Sequence, residues 1–255
     1  MIKIKSQHEI GLIKQSCAIL ASIKAKVAAA VRPGVSLKAL DSIAYNETIK
    51  AGAQPAFLGY MGFPKTICAS VNEELIHGIP SERILQAGDL VSLDMGVNYQ
   101  GYFSDSAFSL SVGGSDAEND WLIAVAQEAF TAGLNAIKPG ARTGDLAFAI
   151  GQVIKKHGLF TPSEFSGHGI GSQLHESPNI LNDGKAGTGP LLQDGMVICI
   201  EPMILQGSKQ IKILADGWTV VAQSGRKAAH YEETVLIKNG KGVVLTKHID
   251  GKRSN

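Results

Sequence analysis

The sequence contains one pattern twice, and this repeat is the feature that most constrains the fold. Residues 84–94 read ILQAGDLVSLD, and residues 191–201 read LLQDGMVICIE. In each segment a Gln-x-Gly turn leads into an apolar run that predicts a β-strand, and a carboxylate ends the run. These carboxylates, Asp94 and Glu201, stand 107 positions apart. Because an ionised carboxylate is costly to bury alone, each of these carboxylates must be paired with another group in the folded protein.

A second pair of segments has nearly the same spacing. Residues 31–40 read VRPGVSLKAL and residues 137–146 read IKPGARTGDL, with a helical pattern before and after each Pro-Gly pair. The order helix, turn, helix, loop and strand therefore occurs twice along the chain. This order predicts an internal duplication, with repeats at roughly residues 1–112 and 113–250, inside a single domain of residues 1–255.

Local chemistry predicts where helices begin and end. Ser6–Glu9 reads SQHE and Ser115–Glu118 reads SDAE, and both have the Ser-x-x-Glu sequence of a capping box at the start of a helix. Gly158 follows a helical segment that ends in Lys-Lys-His, and it is expected at the C-terminal end of that helix.

The composition excludes several classes of protein. Of the 255 residues, 44% are apolar and 18% are charged, as in globular chains, and the net charge of +1 gives no basis for binding nucleic acid or an anionic membrane. No apolar run reaches the ~18 residues of a membrane span, and the charged N-terminus lacks the apolar region of a signal peptide. The three widely spaced cysteines, Cys17, Cys68 and Cys199, favour a reducing, cytoplasmic setting without disulfides.

Two predicted hairpins carry carboxylates on strands that are otherwise apolar. The first has Asp94 on one arm and Asp105 on the other, joined by a turn that contains Asn and Gly. The second has Glu201 on its outgoing arm and the adjacent Glu232 and Glu233 on its returning arm. Carboxylates brought together repel one another and need protons, arginines or metal ions. Because these strands contain no Arg, the sequence indicates metal ions.

A glycine-rich segment supplies a candidate imidazole ligand. Residues 165–178 read FSGHGIGSQLHESP, which places His168 in a predicted loop among glycines and His175 seven positions later. One His with four carboxylates exceeds what a single tetrahedral zinc needs, and it suits two divalent ions of the Mn, Fe, Co or Zn kind that activate water. A dinucleotide site is disfavoured because GHGIG does not follow a predicted strand. A phosphate-binding loop is disfavoured because residues 181–190 lack the required Gly-Lys-Ser/Thr ending.

Taken in order, these segments resemble type I methionine aminopeptidases, which belong to the pita-bread, M24-like metallopeptidases. The resemblance runs almost from end to end. Its motifs are SVNEELIHGIP (70–80), the hairpin from Asp94 to Asp105, GHGIG with a later His (167–175), IEPM (200–203) and HYEET (230–234). The resemblance implies an α+β pita-bread fold, in which two helix pairs cover a curved antiparallel sheet with pseudo-twofold symmetry.

The resemblance also implies two divalent ions and five ligand residues. The ligands are Asp94, Asp105, His168, Glu201 and Glu232. Asp105 and Glu232 would bridge the two ions, and Asp94 would chelate one of them. Glu232 is the implied ligand because it directly follows the aromatic residue of its motif, and alternation along a strand turns Glu233 away. Many members have His or Asn in place of Glu233, which is expected behind the ligands or facing outward.

The implied activity is removal of the N-terminal methionine from nascent polypeptides in the cytoplasm, near the ribosome, with a small second residue preferred. A metal-bound hydroxide would attack the first peptide carbonyl after Glu201 takes a proton from the water. His175 would stabilise the oxyanion, and His77 would contact the substrate near the scissile amide. The free α-amino group would bind close to Asp94. We expect the protein to be a monomer.

The residues implied for the methionine pocket are mainly apolar. They are Tyr60, Phe63, Cys68, His77, His175 and Trp218. Phe57 is either a further wall of the pocket or ordinary packing, and Cys68 is expected to be a wall rather than a nucleophile. Two departures from the family pattern, Met61 and Leu174, are expected to affect side-chain selection more than catalysis.

Three other interpretations are open at this point. Xaa-Pro peptidases share the fold but usually carry a large N-terminal domain, whereas the capping box at Ser6 starts the catalytic half almost at once. Type II methionine aminopeptidases carry a helical insertion in the second half, for which the 31-position separation of Glu201 and Glu232 leaves no room. A binding protein that kept the fold and lost the chemistry would have no affinity for divalent ions.

Overall fold

The structure, a computed structural model, describes residues 2–247. Within this range it contains four α-helices, which are α1 (Gln7–Ala30), α2 (Leu37–Lys50), α3 (Ala117–Asn135) and α4 (Thr143–Lys156). Its fourteen strands are β1 (Gln54–Pro55), β2 (Ile67–Val71), β3 (Glu74–Ile76), β4 (Leu90–Tyr99), β5 (Tyr102–Ser111), β6 (Gly167–Gly169), β7 (Glu176–Ile180), β8 (Val197–Ile200), β9 (Met203–Leu205), β10 (Ile211–Ile213), β11 (Val220–Ala222), β12 (Ala228–His230), β13 (Glu232–Lys238) and β14 (Lys241–Val244). None of these helices combines the length and the apolar character that crossing a membrane requires. Met1 and residues 248–255 lie outside the described range. With them lies all but the first residue of the C-terminal segment KHIDGKRSN (247–255), which the sequence predicts to be solvated.

The main sheet has nine strands, seven of them in the order β1-β4-β5-β13-β8-β6-β7, with β2 added on β4 and β14 on β13. Its paired strands are antiparallel. Two small antiparallel sheets, β10-β11-β3 and β12-β9, complete the strand pairing of the described residues. The helices contact one another in two pairs, α1 with α2 and α3 with α4, and both pairs pack against strands of the main sheet. Helices packed on an antiparallel sheet are the α+β class that the sequence predicts.

The two predicted hairpins meet side by side in the main sheet. In the first, Gln100 and Gly101 connect β4 to β5 with φ angles of 52° and 84°, as a two-residue hairpin turn requires. In the second, β8 pairs with β13, and β13 also pairs with β5. Asp94 and Glu232 both lie opposite Ala107, one from each side. Residues directly opposite each other in a sheet share a face, so this register puts the two carboxylates on the same face.

The first helix begins as the sequence predicts. The Ser6 side chain accepts a hydrogen bond from the backbone N–H of Glu9, and the Glu9 carboxylate accepts one from the N–H of Ser6 at 2.8 Å, which forms a capping box. The end of α4 is also as predicted, because Gly158 follows the C-cap His157 with a φ of +67°, a value that glycine adopts without strain.

The third helix begins one residue later than predicted, so the proposed cap at Ser115 is wrong. The N-cap is Asp116, whose carboxylate accepts hydrogen bonds from the N–H groups of Glu118 and Asn119 at 3.1 and 3.0 Å. Aspartate ranks with serine as an N-cap and adds a negative charge at the positive end of the helix dipole. The Ser115 hydroxyl donates to Asp120 instead.

His168 lies in the short strand β6 rather than in the predicted loop. The glycines that suggested a loop allow β6 to pack tightly between its neighbours. A Cβ atom at Gly167 would lie 2.4 Å from the carbonyl oxygen of Cys199, and one at Gly169 would lie 2.3 Å from that of Ser177. Any side chain at these positions would force β6 away from β8 and β7. The glycines therefore determine the position of His168 relative to these two strands.

The helix α1 buries an apolar face that includes one charged residue. Cys17, Leu20 and Val27 are fully buried, and Lys24 on the same face is only 2% exposed. The Nζ atom of Lys24 lies 3.1 and 3.2 Å from the two carboxylate oxygens of Glu233. Glu233 therefore points inward, and the alternative that it faces outward is wrong because its side chain is buried and pairs with Lys24 of α1.

Replacing Lys24 by Met tests the buried ion pair. The variant leaves the Glu233 carboxylate buried without a cation, so we expect the free energy of unfolding to fall by about 3–5 kcal/mol. The matched control is Lys26→Met on the same helix, because Lys26 pairs with Glu47 at the surface, where such pairs contribute less than about 1 kcal/mol. Urea denaturation followed by circular dichroism measures both values. Equal losses in the two variants would contradict a stabilising role for the buried pair.

Candidate metal centre and substrate pocket

Four carboxylates converge where the two hairpins meet. Asp94 lies on β4, Asp105 on β5 and Glu232 at the start of β13, and Glu201 directly follows β8. Asp105 and Glu232 are 3% and 2% exposed. One oxygen atom from each of Asp94, Asp105 and Glu232 lies within 4.8 Å of the others. Three buried oxygen atoms have no hydrogen-bond partner among the described residues, namely Asp94 Oδ1, Asp105 Oδ1 and Glu232 Oε1. The cluster therefore has unused acceptors that a cation would satisfy.

Burial and mutual repulsion raise the pKa values of these carboxyl groups. The pKa of Asp105 lies well above its usual range because the group is buried and then because Glu232 and Asp94 add negative charge. The pKa of Glu232 is raised in the same way by burial and by Glu201, and that of Glu201 by burial and by Asp94. The cluster therefore retains protons in the absence of cations, and positive ions would compete with those protons.

His168 presents an unprotonated nitrogen to the carboxylates. Its Nδ1 lies 2.9 Å from the carbonyl oxygen of Gly169 and donates to it, so the lone pair is on Nε2. Nε2 lies 3.6 Å from Glu201 Oε1, 3.8 Å from Asp105 Oδ2 and 4.0 Å from Glu232 Oε1. Burial, together with the nearby His175, lowers the pKa of His168 to about 3. A neutral imidazole held in this way is the form that binds metal ions.

The distances between these groups fit divalent metal ions. Two ligand atoms that each lie about 2.1 Å from one ion are separated by about 3 Å at a right angle and about 4 Å when opposite. The three separations from His168 Nε2, 3.6–4.0 Å, fall in this interval. The structure thus brings together all five residues that the sequence singles out as ligands. Their unpaired acceptor atoms fit divalent metal ions.

A cavity opens directly onto the carboxylates. Its walls include all six predicted pocket residues, namely Tyr60, Phe63, Cys68, His77, His175 and Trp218, and also Phe57, for which ordinary packing was the alternative. Met61 and Leu174 also line the cavity, and Met61 is 83% exposed. Burial raises the pKa of the Cys68 thiol well above its usual range, which keeps the sulfur protonated as expected for a wall residue.

Three cavity residues were missed from the sequence. They are Ile76, Phe165 and Ser166. Phe165 packs edge-on against the His77 ring with centroids 5.5 Å apart. Their only signal in the sequence was their position beside predicted site residues. Ile76 directly precedes His77, whereas Phe165 and Ser166 directly precede the GHG segment.

The two other histidines predicted for the site, His175 and His77, are held by aromatic neighbours. His175 Nδ1 lies 2.8 Å from the hydroxyl of Tyr60, and its ring centroid is 4.3 Å from that of His168. The ring of His77 stands edge-on to Trp218 at 6.2 Å. Burial lowers the pKa of His77 to about 4, with further lowering by other nearby histidines, so the imidazole is neutral at physiological pH.

Comparison with known proteins assigns the family. A sequence profile described as "Metallopeptidase family M24" matches residues 11–239. The chain belongs to metallopeptidase family M24. It is 41% identical over 247 residues to methionine aminopeptidase 1 of Bacillus subtilis, and the match covers 97% of this chain and 100% of that protein. This places the chain among the methionine aminopeptidases of the family, as the sequence motifs indicate.

Solved structures agree with the assignment. The crystal structure of a methionine aminopeptidase from Thermotoga maritima is 36% identical and superposes with a TM-score of 0.94, covering 97% of this chain and 100% of that one. The prolidase from Pyrococcus furiosus is 26% identical with a TM-score of 0.77, and the match covers 96% of this chain and 65% of that one. The pita-bread fold is therefore confirmed. The greater similarity is to the methionine aminopeptidase rather than to the prolidase.

The raised carboxyl pKa values predict how metal ions affect stability at different pH. In the metal-free folded protein these groups hold protons that the unfolded chain releases above about pH 4. The folded state then binds more protons, so its stability falls as the pH rises through the raised pKa values. Bound divalent ions replace the protons. The increase in melting temperature on adding Co²⁺ is therefore expected to be larger at about pH 8 than at about pH 5.

Thermal unfolding of the EDTA-treated protein with and without Co²⁺ measures this effect. Asp105→Asn is expected to reduce the difference between the metal-induced increases in melting temperature at the two pH values. The control is Asp183→Asn, at an exposed carboxylate that pairs with Lys155, and it is expected to leave this difference unchanged. A metal-induced increase of the same size at both pH values would contradict displacement of protons from the cluster.

Proposed function

We propose that this protein removes the N-terminal methionine from polypeptides whose second residue is small. The observation that carries the proposal is the position of an apolar, sulfur-containing and aromatic cavity directly above the carboxylate cluster. An unbranched thioether side chain suits such walls, because sulfur makes favourable contacts with aromatic rings. Membership of the methionine aminopeptidases in family M24 supports the same activity.

The proposed cofactor is a pair of divalent ions of the Mn, Fe, Co or Zn kind. The residues that would hold them are Asp94, Asp105, His168, Glu201 and Glu232, which fall in overlapping groups of candidate ligands. By the family resemblance, Asp105 and Glu232 would be shared between the two ions. Bound there, the ions would lower the pKa of a water molecule and polarise a carbonyl oxygen. Oxygen donors with one imidazole fit hard and borderline ions of this kind.

The protein's own groups have separate tasks in the proposed reaction. Glu201 lines the cavity beside His168 and accepts the proton of the attacking water. With Nδ1 of His175 accepting from the Tyr60 hydroxyl, Nε2 carries the hydrogen and donates to the oxyanion that develops on the peptide carbonyl. His77, neutral between its aromatic neighbours, contacts the scissile amide. Asp94 receives the free α-amino group of the substrate, which restricts cleavage to the first residue.

The proposed setting is the cytoplasm, where nascent chains present their N-termini close to the ribosome. The three cysteines support a reducing environment, since each is free and buried. The protein is proposed to act as a monomer. It is also proposed to be one catalytic domain that arose by duplication, with repeats at roughly residues 1–112 and 113–250, because carboxylates at equivalent positions of the two hairpins share the centre.

Hydrolysis of two peptides tests the proposed activity. Met-Ala-Ser and Ala-Pro-Ser are incubated with the protein after chelation and again after Mn²⁺, Fe²⁺, Co²⁺ or Zn²⁺ is restored. We expect metal-dependent release of Met from the first peptide and no cleavage of the second. Cleavage of Ala-Pro-Ser alone would move the protein to the Xaa-Pro peptidases. No cleavage of either peptide by folded, metal-loaded protein would favour a binding protein that lost the chemistry.

Replacing His175 by Ala tests its proposed role as donor to the oxyanion. Loss of a positioned donor is expected to lower kcat by ~10²–10⁴-fold, because the donor acts mainly in the transition state. The metal content after dialysis is expected to stay at the wild-type value. The matched control is His157→Ala, because His157 contacts Glu128 and does not line the cavity. Unchanged turnover by the His175 variant would show that another group supplies the donor.

A further inference from the structure

A third histidine lies against the carboxylate cluster and has no role in the scheme above. His230 is the last residue of β12 and is 2% exposed. Its Nε2 atom is buried and has no hydrogen-bond partner in the part of the chain that the structure describes. This residue does not line the substrate cavity. An imidazole nitrogen that is buried, unpaired and away from the substrate requires another explanation, because buried polar atoms are nearly always satisfied.

The unpaired nitrogen points at Glu201. His230 Nε2 lies 3.7 Å from Glu201 Oε2, while His168 Nε2 lies 3.6 Å from Glu201 Oε1. Each oxygen of this carboxylate therefore faces one imidazole nitrogen. A separation of 3.7 Å is too long for a hydrogen bond, but it is within the separation of two ligands on one ion (about 3–4 Å).

The position of His230 also brings its ring to Glu232. One nitrogen of His230 and one oxygen from each of Glu201 and Glu232 lie within 4.8 Å of one another. His230 and Glu232 are two positions apart on a nearly continuous extended segment, which directs their side chains to the same face. The three groups therefore surround one point from three segments, which are the end of β12, the start of β13 and the residue after β8.

The backbone around His230 is held firmly in place. Its N–H donates to Ser109 Oγ at 3.1 Å, and the same hydroxyl donates to its carbonyl oxygen at 2.9 Å. Ser109 is on β5, the strand that carries Asp105, and its Oγ lies 2.7 Å from that of Ser92 on β4. His230 also pairs with Met203 in the sheet of β12 and β9. These contacts tie the histidine to the strands that carry the ligands.

We propose that His230 is a sixth metal-ligating residue, which binds through Nε2 an ion shared with Glu201. The centre of this protein then contains two imidazoles, His168 and His230, instead of one. The inference rests on the proposed function, because it requires that the cluster bind divalent ions.

A second imidazole changes which ions the centre favours. Imidazole nitrogen suits Co²⁺ and Zn²⁺, whereas Mn²⁺ prefers carboxylate and water oxygens. Loss of the His230 nitrogen is therefore expected to weaken Co²⁺ binding more than Mn²⁺ binding. Glutamine is the suitable replacement because it is similar in length and polar but offers no imidazole.

X-ray absorption spectroscopy of the Co²⁺-loaded protein counts the imidazole ligands directly. We expect two imidazoles for each pair of cobalt ions in the wild-type protein and one in His230→Gln. The dissociation constant for Co²⁺, measured by titration calorimetry, is expected to rise at least about tenfold in His230→Gln, with a smaller rise for Mn²⁺. His157→Gln is the matched control, and it is expected to change neither measurement.

The outcomes separate this inference from the proposed function. One imidazole in the wild-type spectrum, or two retained in folded His230→Gln, would overturn the role of His230 while leaving the metal centre intact. Wild-type protein that binds no Co²⁺ would overturn the proposed function itself. If His230→Gln does not fold, a crystal structure of the Co²⁺-loaded wild-type protein decides. A His230 Nε2–Co distance near 2.1 Å supports the proposal, and a distance above about 3 Å contradicts it.

Discussion

Repulsion between buried carboxylates is the constraint on which the rest of this structure depends. The register of β4, β5 and β13 directs Asp94, Asp105 and Glu232 to one face, where one oxygen of each is buried without a hydrogen-bond partner among residues 2–247. Such a cluster is stable only with protons or with metal ions between the oxygens. The pairing of these strands therefore holds the acidic groups close together despite their repulsion.

The other buried carboxylates of the described structure show the contrast. Glu233 is paired with Lys24, and Glu176 is paired with Lys5 at 2.9 Å, with both of these lysines almost fully buried. A buried charge with a partner of opposite sign stabilises the fold locally, whereas one left alone destabilises it. The two lysines come from α1 and from the segment that precedes it. They neutralise the carboxylates beside the centre, and the oxygens within the centre are left unpaired.

The sequence predicts those parts of the structure that local chemistry or repetition determines. The duplicated Gln-x-Gly strands, the turn at Gln100 and Gly101 and the cap at Ser6 all appear where the pattern indicates. The five proposed ligands could be named because their motifs resemble a family and because they lie at equivalent positions of two hairpins. The predicted loop at His168 was wrong because glycine is common in loops, and the close approach of neighbouring strands that needs glycine here is not visible in the sequence.

Features that depend on distant contacts could not be predicted. In the sequence, nothing distinguishes Lys24 from an exposed lysine on a helix. Its burial depends on contact with Glu233, which lies 209 positions later in the chain. His230 belongs to the recognised HYEET motif, but its burial and its direction toward Glu201 depend on the pairing of β12 with β9 and on Ser109. The packing of Phe165 on His77 is likewise a tertiary contact between segments far apart in the chain.

The most direct test of this account is the stoichiometry of bound metal. Metal-free protein is dialysed against excess Co²⁺ at neutral pH, washed by gel filtration and analysed by mass spectrometry for cobalt per chain. The account predicts two cobalt ions per chain in the wild-type protein and fewer in Asp105→Asn, because that carboxylate is proposed to bind both ions. A folded wild-type protein that retains no more cobalt than Asp105→Asn would contradict the claim that the buried carboxylates are arranged for metal ions.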